Sequence, residues 1–285
     1  SEHLIPIKER EKLALFCNVK RESIIQSIDV ETIYDVPLKM LEEGLDRVVL
    51  NKLQLKPKQP LNLKPWNDFL TKFKNPKHRL KIGLVGKYVE LQDSYKSILE
   101  SLIHAGALNE TEIEVVSIHS EELNDQNVAE TLAPLQGLIV APGFGERGIE
   151  GKIIAVAHAR VSKLPFFGIC LGMQLMATSS EEGNVEGLGW FDSEVIKFRV
   201  KDQLRYKVPH MGWNNAEINM KSELFSNIPK GAMYYFVHSF HMKCNKSEDI
   251  LTTTEYEYPF TSSIHKDNIY GTQFHPEKSH EWGEQ

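Results

Sequence analysis

Residues Phe166–Gln174 read FFGICLGMQ, and the fold is decided here. An apolar run reaches Gly168 and Ile169, Cys170 follows, and Leu171–Gly172 opens a helix. A buried strand that turns sharply into a helix between glycines holds its turn residue in a strained, exposed position. That is the arrangement of a nucleophile elbow, here with sulfur in place of oxygen. At a helix N-terminus the peptide dipole and free N–H groups favour a thiolate, and the same N–H groups can hold an oxyanion. A free Cys standing alone more often fills core space. The flanking glycines turn the reading toward a nucleophile.

About a hundred residues on, Tyr270–Ser279 reads YGTQFHPEKS. A short apolar run delivers His275, Pro276 stops the strand, and Glu277 lies close enough along the chain to orient the imidazole. Cys170, His275 and Glu277 then take the nucleophile, base and orienter roles of a thiol triad. On its own His275 would read as a hydrogen-bonded surface histidine. Paired with the elbow it reads as the base.

Outward from the elbow, strands are expected at Lys81–Val85, Ile113–Ile118, Gly137–Val140 and Phe166–Ile169. Helices are expected at Tyr95–Ala105 and Ile149–Val161. This alternation predicts an α/β fold, a mostly parallel sheet with helices on both faces. Ligands should lie beyond the carboxyl ends of its strands. Ala141–Gly148, APGFGERG, leaves one such end, and its glycines permit close backbone approach to a ligand. The later half predicts a small antiparallel extension from Glu194–Val200, Tyr234–Phe240, Ile250–Thr254, Thr261–His265 and Asn268–Phe274. Val208–Asn214, VPHMGWN, reads as a loop that exposes or docks Trp213.

The first 55 residues read as an α/β appendage too small to bury both faces of a strand. Lys12–Val19 has the pattern of a buried strand, Arg21–Ile28 of a short helix, and Val36–Leu41 and Leu45–Leu53 of amphipathic helices. Residues 56–80 read as a Pro- and Lys-rich linker, closed by a short helix carrying Trp66, Phe69, Leu70 and Phe73.

Composition excludes several classes. The net charge is −6 with no basic tract, which argues against a nucleic-acid partner. No apolar run approaches the length of a membrane span, and no signal-peptide pattern opens the chain. Cys17, Cys170 and Cys244 lack C-x-x-C spacing, which argues against a metal site or disulfide framework and for a reducing, cytoplasmic location. The chemistry calls for no cofactor.

The two motifs together resemble the class I (triad) glutamine amidotransferases. Residues 1–176 resemble CTP synthase, from the end of its synthetase domain into its glutaminase domain. ALFCNV, IYDVPLKMLEEGLD, LVGKYVELQDSYKSI, APGFGERGIEGKI and FFGICLGMQ carry that likeness. Residues 168–285 resemble the glutaminase subunit of imidazole glycerol phosphate synthase, through SEEGNVEGLGWF, VPHMGWN, FVHSF and HPEKS. The resemblance divides the chain into a synthetase remnant (1–55), a linker (56–80) and a glutamine amidotransferase domain (81–285). No G-x-x-x-x-G-K-[ST] phosphate loop occurs in the sequence.

The resemblance implies that L-glutamine is hydrolysed through a thioester on Cys170 and that ammonia passes to an acceptor synthase domain or subunit. It implies oxyanion donors at Gly143 or Phe144 and at Leu171. It places Gln174, Glu182 and the backbone of His238, Ser239 and Phe240 on the substrate, and Trp213 and Lys278 at the acceptor interface. Gln174 also lies one helical turn past Cys170, on the same face. Without the family, Glu182 would be a solvated charge and Trp213 a core residue. Two alternatives stand beside this reading: a non-catalytic partner domain of the same fold, and a cysteine hydrolase of another specificity. Family members continue past residue 285 into a closing helix, so apolar surface beside His275 is expected to be uncovered. An unpaired apolar strand in the first unit is expected to promote self-association.

Overall fold

The chain divides between Asn75 and Pro76, and the computed structural model describes residues 2–143 and 147–283. The first unit holds helices α1 (Ile7–Phe16), α2 (Val36–Glu42), α3 (Leu45–Leu53) and α4 (Lys64–Lys74). The strand expected at Lys12–Val19 is instead the end of α1 and the turn after it. Pro6 precedes a run of Lys, Glu and Arg, strong helix formers after a residue suited to a helix start. Only Ala14 of this helix is buried, while Leu15 and Phe16 are exposed. The apolar run therefore covers no core, which is why its composition misled. The helix expected at Arg21–Ile28 shrinks to a single 3-10 turn, Arg21–Ser23.

Helix α4 belongs to this unit rather than to a free linker. Its residues Phe69 and Phe73 meet the Tyr34 ring edge-on, with centroids 5.1 and 5.4 Å away. Trp66 donates its indole N–H to the Tyr34 carbonyl at 3.0 Å. The aromatic stripe is packing, as its spacing suggests.

The second unit begins β1 (His78–Gly86), α5 (Lys96–Leu108), β2 (Thr111–His119), α6 (Val128–Leu132), β3 (Gly137–Val140). It continues α7 (Ile149–Ser162), β4 (Phe166–Ile169), α8 (Leu171–Gln174), β5 (Ser179–Ser180), β6 (Val185–Glu186), β7 (Ser193–Lys197). The remainder is β8 (His210–Asn215), β9 (Glu217–Ile218), β10 (Met233–His238), β11 (Phe240–Cys244), β12 (Ile250–Tyr256), β13 (Tyr258–Lys266), β14 (Ile269–Thr272) and α9 (His280–Gly283). Strands β2, β1, β3, β4 and β14 lie side by side and parallel. Beyond β14 the sheet turns antiparallel through β13, β11 and β7, and β12 pairs the outer side of β13.

Neighbouring residues of β1 point to opposite faces and bury there. Val85 packs with Val140, Ala155, Val156, Ala159 and Met173, under α7. Leu84 packs with Tyr95, Ile98 and Ile169, under α5. This alternation gives the sheet helices on both faces, as the sequence predicts.

Two local expectations fail. VPHMGWN is not a loop: His210–Asn215 pairs antiparallel with Met233–His238 in a separate two-stranded sheet. Its Pro209 and Gly212 mimic turn chemistry, but Pro209 precedes the strand. The single strand expected over Tyr234–Phe240 breaks at Ser239, and its two halves enter different sheets.

Candidate active site

The elbow forms where β4 ends. Cys170 has φ +52° and ψ −102°, a conformation side chains rarely adopt, and its N–H donates to the Thr272 carbonyl at 2.7 Å. Close approach requires glycine at 168 and favours it at 172. A Cβ on Gly168 would lie 2.5 Å from the Gly172 carbonyl oxygen, and one on Gly172 would lie 3.0 Å from that of Val140. The strained turn matches the expectation, whereas the expected exposure does not: Cys170 is 6% exposed. It lies at the junction of β4 and α8, packed with Leu84, Tyr95 and Ile169.

Parallel pairing of β4 with β14 sets Ile169 beside Thr272, and so brings the ends of both strands together. Three residues past Thr272, His275 is buried, with its N–H donated to the Tyr235 carbonyl at 2.9 Å. Pro276 starts a short 3-10 turn, which folds Glu277 back onto the ring. Glu277 Oε1 then lies 2.8 Å from His275 Nδ1, both side chains being 4% exposed. The carboxylate accepts from Nδ1–H and leaves Nε2 for the proton exchange. Nε2 is buried and has no hydrogen-bond partner within bonding distance, yet the Cys170 sulfur is near enough to act on the ring's charge. Burial opposes protonation of the ring, but Cys170 and Glu277 outweigh it and raise its pKa to about 9.

This shift has a measurable consequence. The ring's ordinary value is 6.5 and the folded value is about 9, so the folded protein binds this proton more tightly. Its contribution to stability is complete below pH 6.5 and is lost as pH rises through about 9. The melting temperature of the parent should decline across that window. With His275→Gln this component of the decline should vanish, and an unchanged slope in the variant would contradict the assignment.

Further polar groups converge on the sulfur. Gln174 is buried, and its Nε2 donates to the Phe240 carbonyl at 3.0 Å and to Gln273 Oε1 at 2.9 Å. Gln273 Nε2 in turn donates to Cys170 Sγ at 3.5 Å. The role of Gln273 was missed in the sequence, although a polar residue inside the apolar run YGTQF was its signal. Lys152 was missed too. It is 2% exposed on α7, donates Nζ to the Ala141 carbonyl at 2.8 Å, and carries a pKa lowered to about 8. Burial is the main cause and Lys87 adds to it, while Cys170 pulls the other way. A lysine on the buried side of a helix was the readable sign.

The remaining expected residues are scattered around this group. Gly143 lies where a Cβ would meet Lys152 Nζ and Lys87 Cε, each at 3.5 Å. Phe144 lies outside the described residues. Leu171 is the first residue of α8, so its N–H has no acceptor within the helix. His238, Ser239 and Phe240 form the turn between β10 and β11, next to Gln174. Glu182 stands exposed in the turn between β5 and β6 and does not join the hydrogen-bonded group. Partial desolvation nevertheless raises its carboxyl pKa. Trp213 and Lys278 are both exposed, and the Trp213 ring stacks on His280 with centroids 5.0 Å apart. Tyr235 joins the two regions, pairing Trp213 across β8–β10 and bridging to His275. The other thiols differ from Cys170: Cys17 is exposed, and burial pushes Cys244 up to about 11. Among the described residues, no group of three or more His, Cys, Asp or Glu could hold a metal ion.

A family model described as glutamine amidotransferase class-I matches residues 90–285. A second, described as CTP synthase N-terminus, matches residues 1–55. CTP synthase of Flavobacterium johnsoniae is 56% identical over 210 residues, 74% of this chain and 37% of that protein. CTP synthase of Flavobacterium psychrophilum is 64% identical over 184 residues, 65% of this chain and 34% of that protein. The chain thus spans just over a third of the length of these relatives. The glutaminase domain of Trypanosoma brucei CTPS, solved with bound acivicin, is 25% identical with a TM-score of 0.55. That match covers 70% of this chain and 86% of the other. Beside these matches, the likeness to imidazole glycerol phosphate synthase is a distant relation of fold.

Proposed function

The chain belongs to the class-I glutamine amidotransferases, and on that premise we propose that it hydrolyses L-glutamine at Cys170 and supplies ammonia for CTP synthesis. The observation that carries the reading is the buried Cys170–His275–Glu277 group, with the imidazole held toward its charged form. The Cys170 thiolate attacks the carboxamide carbon, and the carbonyl electrons move onto oxygen. Backbone N–H groups at Leu171 and at Gly143 or Phe144 stabilise that oxyanion. Collapse expels ammonia, which takes its proton from the His275 imidazolium. The neutral ring then deprotonates a water molecule that cleaves the thioester, releasing glutamate and restoring the thiol. In this reading Gln174, Glu182 and the His238–Phe240 backbone hold the substrate's amino and carboxylate ends.

The acceptor in this reading is a CTP synthase synthetase domain. The match of residues 1–55 to the CTP synthase N-terminus model and the CTP synthase relatives support it. Residues 1–55 would be the end of that synthetase domain, 56–80 its connection, and 81–285 the glutaminase. Trp213 and Lys278, exposed beside the bridge to His275, would face the acceptor. Exposed Leu15 and Phe16 on α1 support self-association through the first unit.

A glutamine-analogue electrophile tests the chemistry. Peptide mapping should find Cys170 labelled first, because it alone of the three thiols sits beside a charged imidazole. Labelling of Cys17 or Cys244 ahead of it would overturn the proposal.

A further inference from the structure

The buried amides and imidazoles around the elbow have orientations fixed by groups that cannot turn over. The Phe240 carbonyl is a pure acceptor, so the Gln174 nitrogen must face it, at 3.0 Å. The same nitrogen lies 2.9 Å from Gln273, which therefore presents its oxygen there. Gln273 is 0% exposed, and its amide nitrogen is left pointing at the Cys170 sulfur, 3.5 Å away. The same reasoning runs outward from Phe240. His238 Nδ1 is 2.7 Å from that carbonyl and must carry the proton, so its Nε2 accepts. His210 Nδ1, 3.1 Å from that Nε2, must then donate, leaving His210 Nε2 as an acceptor. Asn214 Nδ2 lies 3.4 Å from it and also donates to the Glu255 carbonyl at 2.9 Å. A second fixed carbonyl thus closes the series, whose direction of donation reverses once, at the Phe240 carbonyl that accepts from both sides. Every donor meets an acceptor from β8 to the nucleophile.

We propose that Gln273 is a neutral hydrogen-bond donor to the Cys170 thiolate, held in that orientation by Gln174 and the Phe240 carbonyl, which His238, His210 and Asn214 in turn anchor from the β8 side. This rests on the reading of Cys170 as the nucleophile. The series complements the triad. His275 exchanges a proton with the sulfur, whereas an amide N–H cannot be given up and stabilises the negative charge whenever the sulfur is a thiolate. It also ties the nucleophile to β8, the strand whose exposed Trp213 pairs with Tyr235, which in turn bridges to His275. Both imidazoles must stay neutral for the polarity to hold. Their setting agrees: His210 stacks between Tyr256 and Phe236, with centroids 3.9 and 4.9 Å away, and burial lowers the pKa of both rings.

The test is the pH dependence of Cys170 alkylation by iodoacetamide, read on the Cys170 peptide of the full chain. Gln273→Met keeps the length of the side chain and removes the donor. It should raise the midpoint of the profile by about one pH unit and slow alkylation at pH 7 about tenfold, as expected for a lost hydrogen bond to a charged group. His275 and Lys152, the charged groups that also act on the sulfur, are unchanged in this variant. His238→Leu should slow alkylation about threefold on its own and add nothing in the Gln273→Met background, because both act through one series. Gln273→Asn, a shortened amide, gives a second variant should the Met side chain disturb folding, and it should show the same upward midpoint shift. A profile that superimposes on the parent in folded variants, or a double variant whose loss is the product of the single losses, would overturn the proposal. Failure of the parent Cys170 to react with the glutamine-analogue electrophile would instead strike the nucleophile reading itself.

Discussion

Glutamine turnover is expected to fall a hundredfold to ten-thousandfold when His275 is replaced by alanine, the span associated with loss of a positioned acid–base group. The effect is large because the proposed mechanism gives His275 two tasks, protonating the departing ammonia and deprotonating the attacking water. It faces Cys170 with Nε2 unshared and with Nδ1 bound to Glu277 at 2.8 Å. Glu277→Gln should cost less, since an amide oxygen still accepts from Nδ1–H and only the carboxylate's support for the imidazolium is lost. Steady-state ammonia release from the three proteins gives the ranking: parent, then Glu277→Gln, then His275→Ala. Near-normal turnover in His275→Ala would remove the triad from the account.

The second large effect needs no change in a reacting group. Gly168→Ala would place a methyl group 2.5 Å from the Gly172 carbonyl oxygen and 2.9 Å from the Met173 nitrogen. Both are backbone atoms of the short helix behind Cys170, so the strand and the helix must part. A displacement of about 1 Å at a reacting atom costs on the order of a hundredfold in rate. Overpacking of this kind also costs about 1–3 kcal/mol of stability. Turnover should therefore fall about a hundredfold in a protein that still unfolds cooperatively, with its melting temperature lowered. Parent-like turnover in Gly168→Ala would show that the elbow tolerates a side chain, and the glycine argument would fail.

Much of this was legible in the sequence, for identifiable reasons. The elbow and the H-P-E run are local devices, each dictated by a few residues whose backbone demands are severe. Gly168, Cys170 and Gly172 therefore announce themselves without knowledge of their neighbours. The parallel strands are equally plain, because strands buried on both faces read as continuous apolar runs such as Leu138–Val140. Other features depend on who the neighbour is. KLALFCNV has a strand's composition, but its charged N-terminal side and lack of a pairing edge leave it helical. VPHMGWN carries turn residues yet pairs with β10, a partner about twenty residues away that its own composition does not reveal. Gln273 and Lys152 were hidden for the same reason. Each is a polar residue in an apolar setting, and its meaning appears only when Gln174, Phe240 and Ala141 supply the other half of the bond.

The most direct test of the central claim is the mass of the reacting protein. Mixing the full chain with glutamine, quenching in acid and digesting should yield the Cys170 peptide bearing a γ-glutamyl group, formed as ammonia is released. Cys170→Ser should show neither the adduct nor turnover. Ammonia released without an adduct on Cys170, or an adduct found on Cys17 or Cys244, would contradict the account.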